Sequence, residues 1–162
     1  MLYFFVLQYL HVIGATVLLG SGAGIAFFMV RAHASGDASV VAGVARIVVT
    51  ADFVFTATAV VVQPITGFAL ARFLGYPILD GWIAASLLLY AVTGALWLPV
   101  VWMQIRMRDL AVAAVRAGEP LSVAYRRLYR IWFAFGFPAF AAVLGILWLM
   151  LRRPVFSFAD WL

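Results

Sequence analysis

The stretch Leu2–Val30, LYFFVLQYLHVIGATVLLGSGAGIAFFMV, decides the fold, because it contains no acidic or basic residue other than one histidine, His11. At about 1.5 Å per residue, a helix over this stretch is longer than the roughly 30 Å hydrocarbon core of a bilayer. Ionisable side chains at membrane depth are costly and commonly mark functional sites. The stretch therefore predicts a membrane-spanning helix, with His11 as the first candidate site residue.

The composition of the whole chain is that of an integral membrane protein. Of its 162 residues, 67% are hydrophobic and only 10% are charged, whereas soluble domains have about 25% charged residues. The absence of cysteine excludes disulfides, thiolate catalysis and cysteine-ligated metal sites. Residues 32–34, AHA, resemble a signal-peptide cleavage site, but the apolar run before them is about twice the usual length, so we expect it to be retained.

Three further apolar segments follow the first. Together they predict spans over about residues 2–30, 47–71, 82–104 and 131–151, since about 20 residues suffice to cross. Residues 106–130 are expected to form a cytoplasmic helical hairpin, with a stop at Gly118 and a new start at Pro120. The predicted fold is all-α: a four-transmembrane-helix bundle that makes one domain over residues 1–162.

The positions of the arginines predict the orientation. All eleven basic residues are arginine, and they divide eight against three between the two sides. The larger group comprises Arg31, Arg46, Arg106, Arg108, Arg116, Arg126, Arg127 and Arg130, and the smaller group Arg72, Arg152 and Arg153. Because cytoplasmic loops are the arginine-rich ones, both termini are expected outside the cytoplasm, in a multi-pass protein of a bacterial inner membrane. The arginines then contact lipid head groups, and no nucleic-acid partner is expected.

A set of polar and small residues falls at one depth in the outer half of the bundle. Counting from the span ends brings together His11, Gln63, Tyr90 and Thr93, opposite a wall of small residues that includes Gly94 and Gly145. Histidine beside small residues in a helix bundle is a common setting for b-type haem. We therefore expect haem b with His11 as the axial ligand to iron and Gln63 at its second ring nitrogen. Arg72 and Arg152 would pair with the propionates.

His11 has other interpretations. It could hydrogen-bond Gln63 or a backbone carbonyl, in a non-catalytic membrane subunit or scaffold without a cofactor. A proton relay or a quinone contact are further alternatives. The second histidine, His33, lies about 33 Å farther along a helix and cannot ligate the same iron. A bound haem would then be five-coordinate, use a sixth ligand other than histidine, or be shared in a homodimer.

Asp52 is the acidic residue predicted within the inner half of the membrane. A carboxylate there needs a partner, and Gln104, Arg106 and Arg130 lie at comparable depth. We expect a structural ion pair with one of these arginines, and a proton relay is the alternative. The tryptophans near span ends are expected to be interfacial anchors, and Trp97 and Trp102 to lie in the core. The expected anchors are Trp82, Trp132, Trp148 and Trp161.

Over nearly its whole length the chain resembles a bacterial family of small integral membrane proteins catalogued only as a domain of unknown function. The likeness is carried by LHVIGATVLLGSGAGIAFFMVRAH, DFVFTATAVVVQPITGFALA, WLPVVWMQIRMRDLA and YRRLYRIWFAFGFPAFAAVLGILWLM. More distantly, the chain is similar to HemJ-type protoporphyrinogen oxidases and CopD-like membrane proteins. The matching features are the pair Leu10 and His11, the second histidine His33, Arg130 before Pro138, and Pro154.

The HemJ-type resemblance implies haem b at His11 and a role in electron transfer or porphyrin redox chemistry, with a redox partner protein. The lysine associated with that family's activity has no counterpart, because this chain contains no lysine. The resemblance therefore implies the scaffold and the haem site, and not the oxidation of protoporphyrinogen.

Overall fold

A computed structural model describes residues 1–156 of the chain as helices joined by short connections. Helix α1 covers Leu2–Ala34 and helix α2 covers Ala38–Ala51, and a π-helical segment, Asp52–Thr56, leads directly into helix α3, Ala57–Leu74. Helices α4, Gly81–Ala117, and α5, Val123–Arg152, complete the described part.

The predicted fold class is confirmed. Four helical segments are long and apolar enough to cross a membrane, and residues 1–156 contain no strand. The four segments are Leu2–Ala34, Ala38–Leu74, Gly81–Ala117 and Val123–Arg152. The orientation in the membrane stays a prediction, and Trp161 lies outside the described residues.

The helix ends are set by capping residues. Asp37 accepts a hydrogen bond at 2.7 Å from the backbone N–H of Ser39 and so starts α2 nine residues before the predicted span. Ser122 accepts a hydrogen bond from the backbone N–H of Tyr125 in the same way and starts α5. Gly75 and Gly118 end α3 and α4 in the left-handed conformation, with φ of 73° and 66°, which glycine adopts without steric cost. All four long helical segments extend beyond the spans that hydropathy predicts.

One half of the bundle, the inner half in the predicted orientation, is closely packed. Its core is formed by α1, α2, α4 and α5, and the side chains of Met29, Val41, Met107 and Tyr125 are fully buried there. Trp132, predicted as an interfacial anchor, belongs to this core and is buried. The indole is held inside because its N–H donates to the Gln104 side-chain oxygen at 3.3 Å.

The opposite half, the outer half in the predicted orientation, is organised as two pairs of helices. α1 packs mainly on α3, and α4 packs mainly on α5, while α1 and α5 make few contacts. A hydrogen bond connects the two pairs at this level: the hydroxyl of Tyr90 on α4 donates to the backbone carbonyl of Val60 on α3. The separation of the pairs leaves space between them.

Candidate functional site

A cavity of about 590 Å³ lies between the α1–α3 pair and the α4–α5 pair, a volume within the usual range for small-molecule sites. Its walls are largely apolar, with glycine on three helices at Gly22, Gly94 and Gly136. A Cβ atom added at any of these three glycines would meet no atom within 4 Å. The glycines therefore widen the cavity and are not needed for close helix contact.

The cavity opens through the side of the bundle. α5 contributes large apolar side chains that line the cavity and are also exposed, including Phe133 at 43% and Phe137 at 64%. In a bilayer this side of the bundle faces hydrocarbon, because the exposed residues around it are apolar. A molecule dissolved in the membrane could enter the cavity without crossing water.

One end of the cavity carries a buried polar cluster around Asp52. The indole N–H of Trp97 donates to Asp52 Oδ1 at 3.2 Å. The Gln104 amide, oriented by its neighbours, donates from Nε2 to Asp52 Oδ2 at 2.8 Å and accepts from the indole N–H of Trp132 at 3.3 Å. Asp52 begins the π-helical segment, and such segments often occur at functional sites.

A second set of polar contacts continues from this cluster along α1 and α3. The Thr56 hydroxyl lies beside the Asp52 carboxyl group and is hydrogen-bonded to Ser21 Oγ at 3.0 Å. Farther towards the outer end, Oε1 of Gln63 is buried and has no hydrogen-bond partner within the described residues. Gln63 also lines the cavity.

Four of the residues that were predicted to lie at one depth do line this cavity: Gln63, Tyr90, Thr93 and Gly94. Two of them have hydroxyl groups that donate to backbone carbonyls: Tyr90 donates to Val60, and Thr93 donates to Leu89 at 2.8 Å. Gly145 is not part of the lining.

Gly145 belongs instead to the contact between α4 and α5. A Cβ atom there would lie 3.1 Å from Leu89 Cδ1. The rotation of α5 about its own axis directs this glycine towards α4.

His11 is placed differently from the prediction. Its Nδ1 is 2.9 Å from the Thr66 hydroxyl, and its ring lies against Gly67, where an added Cβ would be 3.1 Å from Cε1. The predicted partner, Gln63, packs against Gly14 instead. His11 does not line the cavity, although Ala15, one turn along the same face of α1, does.

The predicted ion pair of Asp52 with Arg106 or Arg130 is not what the structure shows. Both arginines are exposed, and the salt bridge present within residues 1–156 joins Arg108 to Asp109 at 2.8 Å. Neutral donors inside the bundle satisfy the carboxyl group, while the arginines remain at the surface where they are hydrated. Gln104, the third predicted partner, does contact Asp52.

The arginines at the outer end are also exposed. Arg72 and Arg152, the predicted partners of haem propionates, are both exposed. Arg153 is the arginine with partners, since its Nη1 donates to the Tyr76 hydroxyl at 3.3 Å and its guanidinium lies 5.7 Å from the Trp82 ring centroid. Within residues 1–156 no group of three or more metal-ligating side chains is close enough to hold a metal ion.

Residues 5–154 match the model of a family described as "Predicted integral membrane protein (DUF2269)". The chain belongs to this family. The match covers almost the whole chain, and the description agrees with the four long apolar helices. This DUF2269 protein is therefore a multi-pass integral membrane protein with the lipid bilayer as its surroundings. No curated protein and no solved structure matches it, so the resemblance to HemJ-type and CopD-like proteins stays a prediction from the sequence.

Several site residues of this DUF2269 protein were not anticipated from its sequence. Trp97 was expected in the core without a polar role, and Trp132 at the interface. A signal was present, because Trp97 and Gln104 are separated by two helical turns and so share one face of α4. Thr66 gave no such signal, since its contact with His11 depends on how α1 and α3 are rotated.

Proposed function

We propose that this protein binds a lipid-soluble small molecule in the cavity between the two helix pairs, with the polar end of the molecule at Asp52 and Gln104. The observation that carries the proposal is the combination of an apolar cavity open to the membrane side and a buried polar cluster at its end. We place this activity in the inner membrane of a bacterium, with both termini outside the cytoplasm.

The polar cluster is needed for selectivity. Lipid tails are as apolar as the cavity wall, so transfer of an apolar molecule from the bilayer gains little hydrophobic free energy. Shape and hydrogen bonding must therefore distinguish the ligand from surrounding lipid. Glycines at Gly22 and Gly94 give room for a flat ring system, and the aromatic side chains of Tyr90, Trp97 and Phe133 can stack on it.

The test uses 1-pyrenemethanol, an uncharged molecule with a flat apolar body and one hydroxyl group. Because Trp97 and Trp132 lie at the end of the cavity, saturable quenching of tryptophan emission by pyrene reports binding to purified protein in nanodiscs. The double variant Gly22→Leu/Gly94→Leu fills the cavity from two helices and should weaken binding at least tenfold.

The matched control is Gly20→Leu/Gly43→Leu. Both glycines are exposed, neither lines the cavity, and a Cβ atom at either meets nothing within 4 Å. This control should bind like the wild type. Equal dissociation constants for the cavity variant and the wild type, or no saturable binding by the wild type, would overturn the proposal. The second result would favour the alternative of a non-catalytic subunit or scaffold.

Haem b binding is a narrower second candidate, with a role in electron transfer or porphyrin redox chemistry. It is favoured by the hydrogen bond between His11 Nδ1 and the Thr66 hydroxyl. An imidazole that binds a metal through one ring nitrogen is commonly held by a hydrogen bond at the other, so His11 would bind iron through Nε2. The cavity and the imidazole do not form one site, however, because His11 is not in the cavity lining. The residues described do not fit a haem held in the cavity.

The spectrum of purified protein, oxidised and then reduced with dithionite, tests the haem candidate. A Soret band with sharp α and β bands after reduction, lost in His11→Ala, would support it. A preparation that stays colourless after haem is added would exclude it. Exclusion would also remove the basis for a redox partner or a haem shared in a homodimer.

A further inference from the structure

We infer that the ligand of this cavity is a lipophilic cation, whose positive end lies at Asp52 and whose aromatic or apolar body fills the space between the helix pairs. This inference rests on the proposed function and adds the charge of the ligand to it. It follows from the polar atoms that the cavity presents.

The Asp52 carboxyl group lies at the cavity without a positively charged partner among the described residues. Asp52 is 3% exposed and lines the cavity. The groups that contact its carboxyl oxygens are the neutral side chains of Trp97, Gln104 and Thr56. Neutral donors orient a carboxylate but leave its charge uncompensated. Within residues 1–156 no arginine forms a salt bridge with it. A positive ligand would supply the missing charge.

Two hydroxyl groups that line the cavity have no hydrogen left to donate to a ligand. The hydroxyl hydrogens of Tyr90 and Thr93 are already donated to backbone carbonyls. The Tyr90 and Thr93 hydroxyl oxygens at the cavity wall can therefore only accept further hydrogen bonds. Together with the Asp52 carboxyl group, they suit a ligand that carries N–H donors or positive charge.

The lining of the cavity is also aromatic. Tyr90, Trp97, Trp132 and Phe133 all border the cavity. Aromatic ring faces attract cations, and the attraction is larger where water is excluded. An anionic ligand would be repelled by the Asp52 carboxylate. Arg46, the nearest arginine along the same helix, is exposed and does not line the cavity, so it would not offset this repulsion.

The experiment compares three pyrene derivatives that share one ring system and differ in the group attached to it. The compounds are 1-pyrenemethylamine, which is protonated and positive at pH 7, 1-pyrenemethanol, which is neutral, and 1-pyrenecarboxylate, which is negative. Each is titrated into wild-type protein in nanodiscs of uncharged lipid, with tryptophan quenching as the readout. We expect the amine to bind at least tenfold more tightly than the alcohol, and the carboxylate to bind more weakly than the alcohol.

Variants then assign the preference to Asp52. Asp52→Asn should reduce the ratio of alcohol to amine dissociation constants at least tenfold, whereas Asp52→Glu keeps the charge and should retain the preference. Asp109→Asn is the matched control, because Asp109 is exposed, paired with Arg108 and absent from the cavity lining. It should behave like the wild type. Thermal unfolding of each variant shows whether it is folded.

The outcomes separate the two proposals. Saturable binding of the alcohol with no preference for the amine would overturn the inference and leave the proposed function standing. A preference for the amine that persists in Asp52→Asn would also overturn the inference. No saturable binding of any of the three compounds would overturn the proposed function itself.

Discussion

Two glutamines that line the cavity, Gln104 on α4 and Gln63 on α3, should respond differently to the same substitution. Gln104 has both ends of its amide bonded, to Asp52 and to Trp132. Gln63 has a buried Oε1 without a partner within the described residues. Leucine is close to glutamine in size, and it ends one atom short of Oε1. The prediction therefore isolates hydrogen bonding from packing.

Gln104→Leu leaves two buried polar groups without this partner, Asp52 Oδ2 and the indole N–H of Trp132. A stranded buried polar group costs about 1–3 kcal/mol, although hydrogen bonds within membranes average nearer 0.6 kcal/mol, because the unfolded chain in the membrane finds other partners. We expect a loss of about 2 kcal/mol or more in the free energy of unfolding. Gln63→Leu removes an unsatisfied acceptor and should leave stability unchanged or raise it by about 1 kcal/mol.

The assay is reversible unfolding in mixed micelles by titration with sodium dodecyl sulfate, followed by circular dichroism. Gln8→Leu is the control, because Gln8 is exposed near the outer end of α1, and it should change stability little. A loss of similar size for Gln63→Leu and Gln104→Leu would refute the reasoning, since packing alone would then explain both. An unchanged free energy of unfolding in Gln104→Leu would contradict the hydrogen bonds of Gln104 with Asp52 and Trp132.

Three further predictions concern positions outside the cavity. Asp37→Ala should lower the melting temperature while Asp80→Ala should not, because only Asp37 caps its helix through its side chain. Hydrogen bonds from the side chain and backbone of Ser39 lower the pKa of Asp37. The difference in melting temperature between the wild type and Asp37→Ala should therefore be fully present above the ordinary carboxyl pKa of about 3.9. It should disappear as the pH falls through the lower pKa of Asp37 in the folded state. His33→Ala should lower the free energy of unfolding by about 0.5–1.5 kcal/mol, because the His33 ring stacks on Tyr129 with centroids 3.6 Å apart. His33→Phe keeps an aromatic ring at this position and should retain the wild-type stability. Gly67→Val should destabilise the wild type more than it destabilises His11→Ala, because the added side chain meets the His11 ring; equal effects in the two backgrounds would contradict this contact.

The four long helices could be predicted because hydropathy and helix-terminating glycines act locally. Gly118 ends α4 whatever packs around it. The start of α2 was missed because hydropathy indicates where a helix enters the membrane and not where it begins. Asp37 caps a helix that continues beyond the exposed Arg46.

The candidate site was predicted in part. The rise of a helix gives an estimate of depth, and Gln63, Tyr90 and Gly94, which this estimate grouped together, all line the cavity. The rotation of each helix depends on packing between helices, which the sequence alone does not give. For this reason Gly145 faces α4 and His11 contacts α3.

The partners of Asp52 show a further limit. Arg106 was a reasonable partner by depth and charge, but a long exposed side chain can extend to water from the same level. The neutral donors Trp97 and Gln104 lie inside the bundle, where hydration is not available, and they reach the carboxyl group instead.

The most direct test of the central claim is the ratio of two dissociation constants for 1-pyrenemethanol, that of Gly22→Leu/Gly94→Leu over that of the wild type. The account predicts saturable binding by the wild type and a ratio of at least ten, with Gly20→Leu/Gly43→Leu giving a ratio near one. A cavity variant that binds the probe as tightly as the wild type would contradict the claim that this cavity is the binding site.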